Sequence, residues 1–384
     1  MKVAIVGGGP AGLYLGLLLK RKEPGWNVEV IEQNQADATF GFGVVLADSG
    51  MQQLKQADQA SHDALCEAMR YNERQVIVQR ETPIDIKLNV KGGAIPRLAL
   101  LRILRDQAEN AGVTIHYGRR ISSLQELDTF GMAGADVVVG ADGINSMVRG
   151  AHAEAFGTTQ RSLGNHFAWY GTRRVFESPA LVFRKYEGGH FVAHYYAYSG
   201  EMSTFVAECD DATWLRLGMD QMTDDERQAL FERIFAPELQ GQALISNKSV
   251  WRQFPVIRNA RWVAGRHVLI GDALASAHFS IGSGTRIAMN DAAALAQALL
   301  DCNDQAELGL ARFEECHRGS KNRLIDASEH SYMWYEDMAK WMEAYTPEEF
   351  VYQFMTRTGR IDDDRLKAEF PELMQRLEAG GFRP

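Results

Sequence analysis

Cysteine is scarce in this sequence and scattered where it occurs. The four cysteines, Cys66, Cys209, Cys302 and Cys316, form no CxxC or metal-type pair, which argues against a disulfide framework and a dithiol redox centre. Electron transfer, if there is any, then runs through a cofactor, and no metal site is expected. Long apolar runs are also missing: 46% of the residues are hydrophobic, yet no stretch of 18 lacks charged or strongly polar side chains, so no membrane-spanning helix is expected. Positive charge is in deficit. A formal net charge of -9 disfavours nucleic acid or an anionic membrane as the principal partner, while a local basic pocket could still take an anion. The first strand begins at Lys2, which leaves no room for a signal peptide and makes the cytoplasm the expected location.

The 384 residues are about twice a typical single domain, and two interleaved domains are the expectation. The apolar run Lys2-Val3-Ala4-Ile5-Val6 leads at once into Gly7-Gly8-Gly9-Pro10-Ala11-Gly12, whose glycines at 7, 9 and 12 fit GxGxxG. A leucine-rich helix from Leu13 to Lys20 follows. In this geometry Gly7 permits a tight turn, Gly9 lets the backbone approach a pyrophosphate, and Gly12 lets helix and strand come close. Pro10 and Ala11 open a helix whose unpaired N-H groups and positive dipole end favour phosphate. A second strand, Val28 to Glu32, ends in an acid twenty residues after Gly12, where Glu32 would bind ribose hydroxyls. A dinucleotide is implied, with NAD and FAD unresolved.

Two further motifs decide for FAD. The strand Asp136-Val137-Val138-Val139 runs into Gly140-Ala141-Asp142-Gly143, followed by Ser146 and Arg149, and resembles the GADG...S..R motif of flavoprotein hydroxylases. Arg266 to Ile270 is a strand delivering Gly271-Asp272-Ala273, then a loop through His278, Ser280, Ile281, Gly282, Ser283 and Gly284 into a helix from Thr285 to Leu300. It resembles the Gly-Asp motif of the same family, in which the acid binds the flavin ribityl chain, a role that passes to Asp272. The loop would bring backbone N-H groups against the flavin ring, and the helix start would face its N1 edge, where negative charge accumulates on reduction.

Together the three motifs are similar to the single-component, FAD-dependent aromatic hydroxylases, or group A flavoprotein monooxygenases, over roughly residues 1 to 345. That resemblance implies an α/β fold: a Rossmann-like FAD-binding domain of the para-hydroxybenzoate hydroxylase type, an inserted antiparallel-sheet substrate domain, and C-terminal helices. It also implies that NAD(P)H, a transient reductant without a domain of its own, reduces FAD, that oxygen forms a flavin C4a-hydroperoxide, and that the distal oxygen passes to an electron-rich ring. Arg97, opening a helix to Gly112, sits where the family places an arginine near the flavin; a solvated helix-start residue is the other reading. The runs Phe40-Gly41-Phe42-Gly43-Val44, Trp251 to Pro255 and His278 to Thr285 resemble a narrower branch, that of the salicyloyl-CoA 5-hydroxylases and the monooxygenase half of anthraniloyl-CoA monooxygenase, with the violacein-pathway indole hydroxylase as a cousin. Phe42, Gly43, Asp142 and Gly143 join the expected cofactor contacts on that ground.

Residues 1-73, 91-158 and 251-300 are expected to form the FAD-binding domain, 74-90 and 159-250 the substrate domain, and 301-384 a helical region. Strands are expected over Phe167 to Val175, Ala180 to Glu187, Phe191 to Tyr198 and Met202 to Glu208, with Gly188-Gly189 and Ser199-Gly200 as two-residue turns. Gln75 to Gln79 and Ile84 to Val90 would add two more. By period-two alternation His194, Tyr196 and Tyr198 share a face, and only one of Trp169 and Tyr170 can join them. The catalytic candidates are His278, for proton handling or substrate positioning, Ser280 beside it, and His194 and Tyr196 on the sheet. The carboxy-terminal aromatics read more simply as core than as a second site.

The expected substrate is a small aromatic, with a hydroxy- or amino-benzoyl-CoA thioester favoured and a free or natural-product indole, pyridine or phenol as the alternative. Molecular oxygen is the co-substrate and a homo-oligomer remains open. A disulfide reductase lacks its cysteine pair here, and a flavin halogenase lacks its tryptophan motif. A non-oxygenating flavin oxidoreductase shares the fold.

Overall fold

A computed structural model describes residues 1-38, 41-282 and 284-382. Its first layer is a six-stranded sheet in the order Val263–Ala264, His267–Leu269, Val137–Gly140, Lys2–Val6, Asn27–Ile31 and Thr114–His116. The pairings are parallel except at the outer two-residue strand. Val3, Ala4, Ile5, Val137, Val138 and Val139 are almost wholly buried, as the near-continuous apolar runs of a sheet covered on both faces require. Helices Pro10–Lys22, Arg97–Asn110 and Gly284–Asp301 form part of the cover. The carboxyl ends of three central strands thus deliver Gly7, Gly140 and Gly271 to one edge, where ligands of open α/β sheets bind.

The second layer is a nine-stranded sheet built around Thr158–Thr172, Ala180–Tyr186, Gly189–Ala197 and Ser203–Cys209, and it also takes in Gly43–Ala47, Arg70–Gln79, Thr82–Pro96, Leu244–Ser246 and Arg252–Asn259. The expected antiparallel pairing holds with one exception: Arg70–Gln79 runs parallel to Ala180–Tyr186. A hundred residues, first-layer elements among them, separate the two in sequence, so no hairpin dictates their direction.

Both expected hairpin turns shift. Tyr186 pairs with Gly189, so the first turn is Glu187-Gly188, with both residues at positive φ, 48° and 75°, the twist that a two-residue hairpin needs. The second is longer: Ala197 pairs with Ser203, and Ser199 Oγ accepts hydrogen bonds from the backbone of Glu201 and Met202, an alternative to a tight glycine turn.

Registers across this sheet fix what each face carries. Trp169, Val206, His194 and Leu181 form one row, and Tyr170, Phe205, Tyr195 and Ala180 the adjacent row on the other face. Trp169, not Tyr170, therefore joins His194. The Tyr170 face packs with Trp214, Phe231 and Phe235. The His194 face carries Leu181, Phe183 and Val192 against Trp334, Tyr335, Phe350 and Phe354, so these carboxy-terminal aromatics are core. They lie on the 31-residue helix Ala306–Glu336 and the capped helix Pro347–Thr356. Among the described residues no helix is long and apolar enough to cross a membrane.

Candidate active site

The site starts at the glycine turn. Gly7 has φ +108°, and a Cβ there would sit 2.4 Å from Ala141 O; one on Gly12 would sit 2.0 Å from Gly7 O. Only glycine fits either position. Gly9 differs: nothing lies within 4 Å of its missing Cβ, so this backbone faces open space. The helix beginning at Pro10 has no side-chain cap and no acid in its first turn, which leaves N-H groups of that turn for an anion; Ala11 is buried behind it. Glu32 accepts from Gly8 N at 2.6 Å and from Asn34 N at 2.7 Å, so the acid is braced at the mouth. Gly8, Gly9, Glu32, Arg97, Arg105 and Tyr117 line one cavity. The Tyr117 hydroxyl is buried there without a partner among the described residues, and burial pushes it up to about 12. An open glycine, an uncapped helix, a braced acid and an orphaned hydroxyl together suit the adenosine diphosphate half of FAD.

The second and third motifs meet behind that cavity. Asp142 accepts from Ser146 Oγ and from Met147 N at 2.6 Å, Ser146 Oγ in turn accepts from Arg149 N as the cap of the short helix Met147–Ala151, and burial pushes the Asp142 carboxyl up against those hydrogen bonds. Gly143, at φ +74°, faces open space. Arg149 reaches across to donate to Ala273 O at 3.1 Å. Gly271, at φ +62°, donates its N-H to Asp291 Oδ2 at 2.9 Å. Asp291 is fully buried, ion-paired with buried Lys321 at 2.6 Å and hydrogen-bonded to His317 at 2.9 Å. Burial pushes its carboxyl up, but Lys321 and His317 hold it on balance below its ordinary value. The Gly-Asp turn therefore rests on buried Asp291 and its Lys321 partner, while Asp272 itself is exposed. Desolvation raises the Asp272 carboxyl, while Lys321 and Arg97 pull it back. Arg97, which lines the cavity of the first motif, thus also acts on Asp272 electrostatically.

The loop after Asp272 forms one wall of a cleft. His278 is 3% exposed, with its ring edge-on to Phe254 at 4.6 Å. Its Nδ1 accepts from Ser280 N at 3.2 Å, and burial, then the Arg357 charge, pushes the imidazole down to about 3. Ser280 shares a 2.8 Å hydrogen bond with Ser331 Oγ. Phe279–Ile281 is a single tight turn ended by Gly282 at φ +59°, with open space at its missing Cβ. Gly284 and Thr285 begin the long helix and are half-buried. Ser283, like Phe40, lies outside the described residues.

The opposite wall is the sheet face. Trp169 stands edge-on to Phe279 at 5.5 Å, so sheet and loop touch through aromatic rings. His194 lies deep in the cleft, and burial, then Arg357, pushes it down to about 4. Its ring is 5.3 Å from that of Tyr196. Tyr196 donates to Gly43 O at 2.9 Å, which places its hydroxyl on the neighbouring chain segment. Phe42 covers Gly171, where a Cβ would sit 2.3 Å from its ring, and Gly43 lies against the Tyr198 ring.

His278, Ser280 and His194 therefore converge, and the group at their meeting point is Arg357, whose NH2 donates to Ser280 O at 2.9 Å. Sequence reasoning missed Arg357, because 77 residues separate it from Ser280 and no motif surrounds it. Arg105 and Tyr117 were missed in the same way, as were Lys321 and Glu208. Glu208 lies on the sheet face with His194; burial raises its carboxyl to about 8, with Asn165 Nδ2 donating to it at 2.9 Å.

A two-layer fold with these three turns at one edge and an aromatic-walled cleft above them defines a flavin-dependent monooxygenase. The chain belongs to the family described as "FAD binding domain", whose profile matches residues 1–312. It is 34% identical over 377 residues to a salicyloyl-CoA 5-hydroxylase from a Streptomyces species, covering 93% of this chain and 70% of that one. It is 33% identical over 361 residues to the protodeoxyviolaceinate monooxygenase of Chromobacterium violaceum, covering 93% and 94%. In fold it resembles the tetrameric form of 2-methyl-3-hydroxypyridine-5-carboxylic acid oxygenase, with a TM-score of 0.72, 17% identity and 97% of each chain covered. It also resembles PqsL of Pseudomonas aeruginosa, with a TM-score of 0.68, 19% identity, and 89% of this chain and 98% of that one covered. The protein is an aromatic monooxygenase with FAD as its cofactor.

Proposed function

We propose that this enzyme takes electrons from NAD(P)H and hydroxylates an activated aromatic ring carried as a hydroxy- or amino-benzoyl-CoA thioester. The observation that carries the reading is the exposed Asp272 carboxylate at the carboxyl edge of the parallel sheet, followed in the chain by the loop whose Phe279 ring meets Trp169 on the face of the second sheet. The aromatic side chains at that junction suit a flat ring as ligand. The thioester is supported by the salicyloyl-CoA 5-hydroxylase, similar over 93% of this chain.

FAD, when bound, supplies the passage of electrons to dioxygen and the delivery of one oxygen atom to the ring. The residues of this chain do the rest. The backbone at Gly7, Gly9, Pro10, Ala11 and Gly12 takes the pyrophosphate and Glu32 the ribose. Asp272 takes the ribityl hydroxyls, with Arg97, Asp142 and Gly143 close by. Ile281, Gly282, Gly284 and Thr285 would hold the ring system, with Phe42 and Gly43 also near it; Ser283, expected among them, lies outside the described residues. His278, neutral and bonded to Ser280 N, holds the loop in shape, while Trp169 and His194 line the substrate space and exclude water.

A natural-product aromatic is a second reading, favoured by the violacein-pathway relative, which aligns over 94% of its length. Following NADH and NADPH oxidation in the presence of salicyloyl-CoA, anthraniloyl-CoA, the free acids and tryptophan, with mass analysis of products, separates the two. Thioester-dependent stimulation with a hydroxylated product supports the first reading. Stimulation by a free aromatic alone replaces it with the second.

A further inference from the structure

The charges around the cleft do not balance. Arg357 follows the helix Pro347–Thr356, and its guanidinium lies 3.7 Å over the Phe354 ring. Nε donates to Ser331 Oγ at 3.0 Å, one terminal nitrogen to Phe354 O at 2.6 Å, and the other to Ser280 O at 2.9 Å. All three acceptors are uncharged, and a guanidinium has five N-H donors. Among the described residues no carboxylate pairs with it. The group that favours its charge is the Tyr335 phenol, which burial keeps protonated. Two further titratable groups that feel its charge, His194 and His278, are both held neutral. Further along the same sheet face, Glu208 is kept neutral by burial up to about pH 8. Arg357 therefore keeps a charge that no carboxylate among the described residues neutralises. A desolvated charge without a counter-ion is costly, and an anion that enters with the ligand offsets that cost.

We propose that Arg357 is the specificity-determining residue of this cleft, selecting a ring that bears an oxyanion directly on it. The proposal rests on the aromatic-hydroxylase reading above and narrows it. In a free aromatic acid the oxyanion is the carboxylate. In an acyl thioester that carboxylate is masked, so the ring hydroxyl, bound as phenolate, takes its place. A ring amine gains nothing from a guanidinium, since both are donors. A hydroxylated rather than an aminated benzoyl thioester is then the preferred substrate, and the negative charge at the phenolate oxygen makes its ortho and para carbons more nucleophilic.

The experiment uses the FAD-loaded enzyme and reads ligand binding from the perturbation of flavin absorbance, without turnover. The probes are 2-hydroxybenzoyl-CoA, 2-aminobenzoyl-CoA, benzoyl-CoA and benzoate, tested on wild type, Arg357→Gln and Arg357→Lys, each checked for melting temperature and flavin content. Wild type should bind the hydroxy thioester at least about tenfold more tightly than benzoyl-CoA, and Arg357→Gln should bring that ratio to within about twofold. Arg357→Lys should restore part of it. In wild type the bound phenol should ionise at lower pH than the free ligand, seen in its ultraviolet difference spectrum, and Arg357→Gln should abolish that shift. If benzoate alone shows the arginine-dependent gain, the oxyanion is a carboxylate; the selection stands and the thioester reading falls. Equal weakening of all four ligands, which a merely structural clamp on the Ser280 loop would give, overturns the proposal. If no aromatic perturbs the flavin of wild type, the hydroxylase reading fails and takes this proposal with it.

Discussion

Arg149 and Ala273, 124 positions apart in sequence, are joined by a 3.1 Å hydrogen bond from guanidinium to backbone carbonyl. The same side chain also donates to Ile144 O, so the turn after Gly143 and the turn after Gly271 are held by one residue. Arg149→Met leaves both carbonyls without that donor at a buried position. A stability loss of about 2 kcal/mol or more is expected, together with easier loss of FAD on gel filtration. Unchanged melting and flavin retention would show that the two turns hold their places without the bridge.

Tyr196 was a catalytic candidate by its place on the sheet, and its hydroxyl donates to Gly43 O at 2.9 Å. Tyr196→Phe should therefore cost about 1 kcal/mol of stability, the worth of one buried hydrogen bond, and leave kcat within about twofold of wild type. A loss of kcat of a hundredfold with unchanged stability would instead put the phenol on the reacting ring.

Glu208 gives a pH dependence of folding. Its carboxyl is raised from 4.5 to about 8 by burial, against the Asn165 hydrogen bond. Between those values the folded protein keeps a proton that the unfolded chain has released, so stability from this group falls as pH rises through the window and levels off above it. The slope is at most about 1.4 kcal/mol per pH unit. Glu208→Gln keeps the oxygen that accepts from Asn165 and removes the proton. Denaturant midpoints should show the variant gaining on wild type from pH 5 to pH 8, and parallel curves would mean that Glu208 is ionised in the fold.

His278 stays neutral throughout the working range, because burial and Arg357 lower it to about 3. Its Nδ1 is already an acceptor for Ser280 N. The pH-rate profile should therefore show no ionisation between pH 5 and 8 that His278→Asn removes, although the variant should turn over more slowly as the loop loosens. A limb near pH 6 to 7 that disappears in the variant would assign the proton transfer to His278.

What the sequence revealed of this fold follows the range of the interactions involved. The glycine turn, the helix at Pro10 and the acid at Glu32 were legible because the whole unit spans some thirty residues and Gly7 and Gly12 answer to local steric demands, Gly12 against Gly7 O above all. The hairpin at Glu187 was misplaced by one residue because a pair of glycines is the stronger local signal, whereas the register from Tyr186 to Gly189 puts a glutamate in the left-handed region. Whether Trp169 or Tyr170 faced His194 could not be decided from alternation within one strand; it needed the pairing of Trp169 with Val206 and of Val206 with His194. Arg357 and Lys321 were invisible for the same reason in stronger form. Each reaches its partners from a separate helix, and nothing near either in sequence states that Asp291 or Ser280 is its neighbour.

The central claim, that this fold and cleft hydroxylate an aromatic ring, is tested most directly by turnover of the FAD-loaded enzyme with NADH or NADPH and 2-hydroxybenzoyl-CoA under isotopically labelled dioxygen. The expected product carries one labelled oxygen atom on the ring, with one reduced nicotinamide consumed per product formed. Reduced nicotinamide oxidised with no labelled oxygen in any aromatic product would contradict it.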